Sequence, residues 1–590
     1  MRIVVADHIA EDPGLRDAWH HLVLQMEEPE IFYTFEWAMA VQQAYSSSLK
    51  PFIFLGYEAE ALVAVVALAQ RSNGEIAFLS ADTGDYCDFV SDRARRDEFV
   101  SAVVSELECR GISRIVLTNL PEDSASLNSI QRIAQSGTYH LHTRPAYACA
   151  QVVLGSNDHR LALKQSLTGK KSRRRMREMQ KRGEVSVLHE TEAEKIQALL
   201  EPFSHAHVAR FLENGKMSSL LRAERRNFLQ ELTKRTGQHG WVVMSRLLVG
   251  GVTAAWHFGF CFCGTWFWYQ PTVNALYSDC SPGYSLLSKI VELACDFPQL
   301  DTVDLGLGAE SYKDRLATST RQTLYCVLSD SLAKHVREIV RYRTSVVATS
   351  SARVERTIRA MISCANTLKS KLRTTTMQQF AGWGLRRIKH AISACDDMLF
   401  FEWSPTAQNS CAADLDLVPL DADLLGAAAI RYVDDPDAMQ YLTRSAQRFR
   451  SQCAEGFALL DSEGVPVHFC WVRPHEGFEM AELSRKLQAP SMDSVIIFDC
   501  YTPAAARGSG LFSRAIALLA RRLSSEGKRV WVFGAKANQS SLREIKKTEF
   551  VYRFTLGRKT RFFVRTNHDS SSEESLLSPG SKPLSTNVSS

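Results

Sequence analysis

The stretch SVIIFDCYTPAAARGSGLFSRAIALLARRLSSEGKRVWVF, residues 494–533, reads as strand, turn, helix and strand. Ser494-Val495-Ile496-Ile497-Phe498 is a short apolar run rich in β-branched residues, the pattern of a buried strand. Ala506-Arg507-Gly508-Ser509-Gly510 is a glycine turn. Phe512, Ile516, Leu519 and Leu523 then recur at helical spacing up to Gly527, and Val530-Trp531-Val532-Phe533 closes the unit. This order predicts a right-handed crossover between parallel strands. Its turn lies at the carboxyl end of the first strand, where open α/β sheets bind their ligands.

The same unit recurs twice upstream. In the middle of the chain the strand is Thr265 to Tyr269 and the turn is Ser281-Pro282-Gly283. Leu286, Leu287, Ile290, Ala294 and Phe297 mark the helix, and Thr302-Val303-Asp304-Leu305 closes it. Near the start, Tyr86-Cys87-Asp88-Phe89-Val90 leads to a helix with Phe99, Val103, Val104 and Leu107, then to Ile112 through Leu117. The turn of this first copy, Ser91 to Asp97, has no glycine. The expected fold class is therefore α/β with a mixed sheet, built three times.

A helix start exposes unpaired N–H groups and the positive end of the helix dipole, which suits a phosphate. Glycine removes the Cβ that would hold the phosphate off, so Gly508 and Gly510 fit such a role, and Arg507 adds a cation. A plain tight turn has the same composition. The stretch resembles the acyl-CoA-binding segment of the GCN5-related N-acetyltransferases (the GNAT superfamily), Gln/Arg-x-x-Gly-x-Gly/Ala. Arg507-Gly508-Ser509-Gly510-Leu511-Phe512 carries it, with Phe512 departing at the last small position. Asn538-Gln539-Ser540-Ser541 and Glu549-Phe550 resemble the family's Asn-x-x-Ser … Gly-Phe segment, with Glu549 in place of the glycine. The resemblance covers about residues 495–561 and implies that Arg507, Gly508, Ser509, Gly510, Asn538 and Ser541 hold acyl-CoA. Asn538 also suits a simple helix cap.

Residues 1–330 resemble the CelD/BcsL group of GNAT-like acyltransferases, kin of the Fem-type aminoacyltransferases. The matching pieces are Phe32-Tyr33-Thr34-Phe35-Glu36-Trp37, Lys170-Lys171-Ser172-Arg173-Arg174-Arg175, Ser281-Pro282-Gly283, and Asp304-Leu305-Gly306-Leu307-Gly308-Ala309-Glu310-Ser311-Tyr312-Lys313. That group carries two GNAT-like folds in tandem, the second bearing the working site. The resemblance implies a degenerate structural half at 1–150 and an acyltransferase domain at 151–330, with acyl-CoA at Ser281 and Gly283. A basic helical connector at 331–399 and a separate GNAT domain at 400–566 follow, then a disordered serine-rich tail at 567–590.

Acyl transfer from a thioester needs a nucleophile stripped of its proton, a donor for the oxyanion and a proton for the departing thiolate. His257 or Glu310 suits the base in the middle domain, although His257, following Trp256 in an apolar strand, reads first as a core histidine. Tyr312 and Lys313 are candidate substrate or catalytic contacts through the resemblance; a solvated loop is their other reading. In the last domain Asp499 ends the strand before the glycine turn, and Tyr552 is placed to protonate a thiolate or to pack in the core.

Composition bounds these readings. The 590 residues suggest roughly three to four domains at about 150 each. Hydrophobic and charged shares of 45% and 23% are those of ordinary globular protein and exclude wholesale disorder. Seventy basic against 65 acidic residues give +5, too near balance for a global polyanion partner. Fourteen cysteines lack paired CxxC spacing, which argues against a zinc site or disulfide scaffold, and no metal is expected. The uncharged stretch Leu247–Ser278 is broken by Gly250-Gly251, Gly259 and Gly264, which favours strands over a membrane span.

Charge is concentrated locally. Lys170 to Arg182 holds eight cations against Glu178, and Lys334 to His390 holds thirteen against Glu338 and Glu355. The first run suits a polyanion, a lipid headgroup, an acidic sugar or a solvated helix face; it lacks the aromatics that stack bases, so nucleic acid is not the expected partner. The second suits an amphipathic helix on an anionic membrane. With no apolar leader in MRIVVADHIAEDPG, the expected location is cytoplasmic, at most peripheral to the inner membrane face. The expected reaction is transfer from acetyl-CoA or a longer acyl-CoA to an amine or hydroxyl, including one on a surface glycan. The alternatives are Fem-like aminoacyl transfer from charged tRNA, and a non-catalytic scaffold that senses acyl-CoA or tethers to membrane.

Overall fold

The computed structural model describes residues 1–137, 139–308, 312–349, 393–405, 417–561 and 564–571. It separates into two compact units. The first contains β1 (Arg2–Ala6), β2 (Lys50–Glu58), β3 (Ala61–Gln70), β4 (Ile76–Phe78), β5 (Val90–Ser91), β6 (Arg114–Pro121) and β7 (His140–Val153). It continues with β8 (Val185–Glu190), β9 (Val242–Val249), β10 (Val252–Phe262), β11 (Thr265–Val273), β12 (Thr302–Asp304) and β13 (Ser319–Ser329). All join one mixed sheet in the order β1-β2-β3-β4-β6-β13-β7-β12-β11-β10-β9-β8, with β5 on β3.

From Leu247 to Val273 the uncharged stretch forms strands broken at its glycines, and Ala275–Cys280 closes it as a short 3-10 helix. Gly250 and Gly251 (φ +59° and +82°) turn β9 into β10, and Cys263 and Gly264 (φ +42° and +78°) turn β10 into β11. Consecutive positive φ values match the right-handed twist of a hairpin. β10 lies between β9 and β11, and its residues Ala254 to Phe260 are all buried. Among the described residues no helix is long and apolar enough to cross a membrane.

Two crossovers match the sequence reading. β11 runs parallel to β12 after the helix Pro282–Ala294, which buries Leu286, Leu287, Ile290 and Ala294. In the second unit β20 (Ser494–Tyr501) runs parallel to β21 (Arg529–Ala535) after the helix Leu511–Ser525, which buries Ile516, Leu519 and Leu523. The first crossover differs from expectation. The strand parallel to β6 is β4, and of Tyr86–Val90 only Val90 enters a strand, antiparallel to β3. The rest of that apolar run is buried as a loop, because Tyr86, Cys87 and Phe89 pack inward without a ladder.

The two halves of the first unit also exchange a strand. β13, at the end of the second half, lies between β6 and β7 of the first. Its Leu324, Cys326 and Leu328 complete a core with Phe54, Val66, Phe99 and Leu117.

The second unit contains β14 (Ser393–Trp403), β15 (Leu417–Pro419), β16 (Glu455–Leu460), β17 (Pro466–Pro474), β18 (Glu479–Met480) and β19 (Arg485–Lys486). After β20 and β21 come β22 (Phe550–Arg561) and β23 (Val564–Ser571). Its main sheet runs β15-β16-β17-β20-β21-β14-β22-β23. β23 pairs with β22 as far as Ser571, so the first residues assigned to the serine-rich tail belong to a strand. The remainder of that tail lies outside the described residues. Of the basic connector, the helix Leu332–Thr349 is described and 350–392 lie outside.

Candidate active site

In the second unit, β20 and β21 are paired from Ser494–Ile497 to Arg529–Val532 and then part. Beyond the fork β20 bulges against β17, and Asp499 takes φ +47°. The Asp499 carboxylate pairs with Arg448 at 2.7 Å, and its carbonyl accepts the Tyr441 hydroxyl at 2.9 Å. A bulge re-aims backbone groups out of the ladder, which is how a strand can offer an N–H to a ligand.

The fork opens into a cleft of about 530 Å³ lined by Tyr501, Arg507, Gly508, Gly510, Phe512, Asn538 and Ser541, among others. Gly508 and Gly510 adopt φ +89° and +67°. A Cβ added at Gly508 would meet nothing within 4 Å, so these glycines serve backbone conformation and the bend stays open. The helix Leu511–Ser525 starts at Gly510 with no side-chain cap, so its first N–H groups remain available. Arg507 is tied by Nε to the Thr502 carbonyl at 3.0 Å. Phe512 lines the cleft and meets the His468 ring edge-on at 5.9 Å, packing into the wall rather than blocking the bend.

Asn538 caps its own helix, Oδ1 accepting the Ser541 N–H at 3.2 Å, so the capping reading holds while both residues still line the cleft. Tyr552 does not join this site. It lies on β22, separated from β21 by β14, with its hydroxyl 2.9 Å from Thr555 Oγ1.

In the first unit the corresponding fork is between β11 and β12, whose pairing ends at Phe267 and Asp304. The helix Pro282–Ala294 starts from Ser281 at φ +51°. A Cβ at Gly283 would lie 2.8 Å from Val273 Cγ1, so this glycine is required by the approach of helix to strand. The basic helix Lys170–Gln180 lies alongside. The Arg175 guanidinium stacks 4.6 Å over Tyr284, and Arg182 donates to the Leu276 carbonyl at 2.7 Å and pairs with Asp279.

His257 is a core residue, which corrects its candidacy as a base. It is fully buried, its Nε2 lies 3.1 Å from the Phe267 carbonyl, and its ring stacks on Trp268 at 4.5 Å. Burial drives its pKa down to about 3, so the ring stays neutral and has no route to a substrate. Glu310 lies outside the described residues. The Tyr312 hydroxyl accepts the Trp268 indole N–H at 3.3 Å, and the buried Lys313 ammonium donates to the Leu307 carbonyl at 2.8 Å.

The motif beginning at Asp304 gathers residues that the sequence did not single out. Asp304 accepts from the Gly306 N–H at 2.7 Å, the Tyr86 hydroxyl at 2.7 Å and the Gln151 amide at 3.0 Å. Asp85 stands beside it, so close to Gly306 that a Cβ there would lie 2.9 Å from its Oδ2. Burial, then the charge of Asp304, raise the Asp85 pKa to about 7 against the opposing pull of Lys313 and Arg225. Tyr86 and Asp304 are 218 residues apart, and nothing local in the sequence marks that meeting. Among the described residues no group of three His, Cys, Asp or Glu is placed to hold a metal ion.

Comparison with known proteins bears on the middle of the chain. The family model described as "Acetyltransferase (GNAT) domain" matches residues 168–314. No curated protein matches. Among solved structures, FemX is similar at 9% identity and a TM-score of 0.40, covering 58% of this chain and 100% of its own. The C-terminal domain of a putative lysylphosphatidylglycerol synthetase from Agrobacterium fabrum follows at 11% and 0.37, covering 55% and 93%. A tandem GNAT protein from the clavulanic acid biosynthesis pathway stands at 12% and 0.33, covering 55% and 98%. The chain therefore carries an acetyltransferase domain of the GNAT family over residues 168–314.

Proposed function

We propose that the protein transfers an acyl group from acetyl-CoA or a longer acyl-CoA to an amine or hydroxyl acceptor, including one carried on a glycan. The observation that carries this is the cleft of about 530 Å³ at the β20–β21 fork, lined in part by Arg507, Gly508 and Gly510 of the bend. The diphosphate of the carrier meets uncapped N–H groups at the start of a helix, and Arg507 lends charge. The pantetheine arm runs along the fork, and alignment of thioester and nucleophile supplies most of the rate, worth about 7–11 kcal/mol in favourable cases. Ser281 and Gly283 form the second donor site, at the middle domain.

Titration with acetyl-CoA and longer acyl-CoAs, followed by thermal unfolding, tests the reading. A ligand bound only by the folded state stabilises it by about 2.7 kcal/mol at a hundredfold excess over Kd. Gly510→Asp is expected to abolish the rise in the second unit, and Gly283→Asp the rise in the first. No rise with any thioester overturns the proposal, and binding without thiol release leaves a sensing scaffold.

A second reading, aminoacyl transfer from a charged tRNA, is favoured by the exposed Lys170, Lys171, Arg173, Arg174 and Arg177 beside the start of the helix Pro282–Ala294. It predicts activity only when charged tRNA is added. Peripheral membrane attachment is supported by the helix Leu332–Thr349, which exposes Leu332, Val336 and Val340 at four-residue spacing beside Arg337 and Arg341.

A further inference from the structure

We propose that Asp85, contributed by the first half of the tandem pair, is the general base of the middle acyl-transfer site. The inference rests on the transfer reading above and concerns the fork between β11 and β12. Trp268 is the first residue of β11 past the end of that pairing. A Cβ built on Gly306 would lie 3.3 Å from the Trp268 carbonyl and 2.9 Å from Asp85 Oδ2. The Asp85 carboxylate thus stands at the mouth of the fork, on the far side of a glycine that leaves it room. It is half-buried, whereas its neighbours Asp304 and Lys313 are buried.

The loop that carries Asp85 is held firmly to both halves. Tyr269 of β11 donates to the Thr83 carbonyl at 2.6 Å and accepts from Arg225 at 2.8 Å. Trp37 donates to Thr83 Oγ1 at 3.0 Å, and Asn119 donates to the Gly84 carbonyl at 2.8 Å. Ala81 and Asp82 take φ +47° and +59°, so the loop is locked in an uncommon backbone shape. Such fixing is what positions a base within reach of its proton. The groups around the carboxyl are Asp304, Lys313, Arg225 and the Leu307 N–H. Their balance, dominated by burial, places its pKa at about 7, where a base is half ready to accept a proton at neutral pH.

The step balances with these parts. The acceptor's N–H or O–H proton passes to the Asp85 carboxylate while the acceptor lone pair forms a bond to the thioester carbonyl carbon. The tetrahedral adduct then collapses, the C–S bond breaks with its electron pair on sulfur, and the proton held by Asp85 passes to the thiolate. The products are the acylated acceptor and free thiol, with Asp85 again ionised.

The test uses the full chain carrying Gly510→Asp, so that the second unit's cleft is silent. Acetyl-CoA is the donor, amino sugars and short peptides are acceptors, and released thiol is read with a chromogenic thiol reagent. Asp85→Asn is expected to lower kcat by roughly 100-fold or more, to erase the limb of the pH–rate profile near 7, and to leave the acetyl-CoA Kd within about twofold. Asp85→Glu is expected to recover part of the rate. Equal kcat and an unchanged pH profile in Asp85→Asn overturn the proposal alone. No thiol release by the Gly510→Asp parent overturns transfer at the middle site and this proposal with it, while thiol release by the unsubstituted chain keeps the transfer reading at the second unit's cleft.

A substrate-free arm separates the two failures. A carboxyl whose folded pKa lies above its unfolded value stabilises the fold below the unfolded pKa, and that stability is lost as pH rises through the folded pKa. From pH 4 to 8 the parent is expected to lose thermal stability relative to Asp85→Asn. Parallel curves overturn the proposal.

Discussion

His257 shows how one environment can overrule a residue's chemistry. Imidazole at its ordinary pKa is the usual base near neutrality, but full burial against Trp268 lowers this one to about 3. Because its folded pKa lies below the unfolded value, protons bind the unfolded chain first. The stability it lends is present above pH 6.5 and is lost as pH falls towards 3. His257→Phe, of similar volume, loses the bond to the Phe267 carbonyl and is expected to cost about 1 kcal/mol at pH 7.5. At pH 5 the difference is expected to move by up to about 2 kcal/mol in favour of the variant, enough to reverse its sign, since phenylalanine has no proton to gain. Urea unfolding at the two pH values checks this, and a constant gap would mean an imidazole that titrates normally in the native protein. The sequence held both readings of His257 open because Phe267 and Trp268 meet it only once β10 and β11 pair. Asp85 was not legible at all: its neighbours Asp304 and Lys313 reach it only through the fold.

The crossover elements were the most legible part of the chain, because strand, turn and amphipathic helix each carry a local period. Two of the three turns fell where expected, and their glycines proved to do different work. At Gly508 and Gly510 the backbone needs positive φ and the space outside is open. At Gly283 the constraint is the helix Pro282–Ala294 lying on β11, with Val273 Cγ1 2.8 Å from where a Cβ would stand. Valine is stiff at χ1, so it cannot swing aside cheaply. Gly283→Ala is expected to destabilise the first unit by about 1–3 kcal/mol through overpacking. The pair Gly283→Ala, Val273→Ala should recover part of that, with a coupling of roughly 0.5–3 kcal/mol in a double-mutant cycle. Additive costs would mean that the helix is held off the strand by something other than this contact. The first crossover was misplaced because Tyr86–Val90 has a strand's composition and a loop's geometry. Its apolar residues satisfy burial without a ladder, and composition cannot tell these apart.

At the scale of the first unit, the halves that sequence divides near residue 150 are one sheet. β13 is inserted between β6 and β7, making a long-range pairing that no local pattern announces. Phe32 of the first half meets Phe267 edge-on at 5.4 Å, and Trp37 meets Tyr269 at 5.5 Å, so aromatic packing also crosses the boundary. A first half whose core takes in β13 cannot be folded away from the second without exposing that core. Leu328 of β13 is fully buried in the core of the first half, although it belongs to the end of the second half in sequence. Leu328→Ala is expected to cost about 2–5 kcal/mol. If the exchange couples the halves, calorimetry should show residues 2–329 melting in one transition that moves down as a whole in the variant. A transition that splits, with only the portion containing β1 to β7 shifted, would mean that the halves fold independently. Asp85 could then not be held against Asp304 by the stability of the unit, and the middle site would have to assemble each time the halves met.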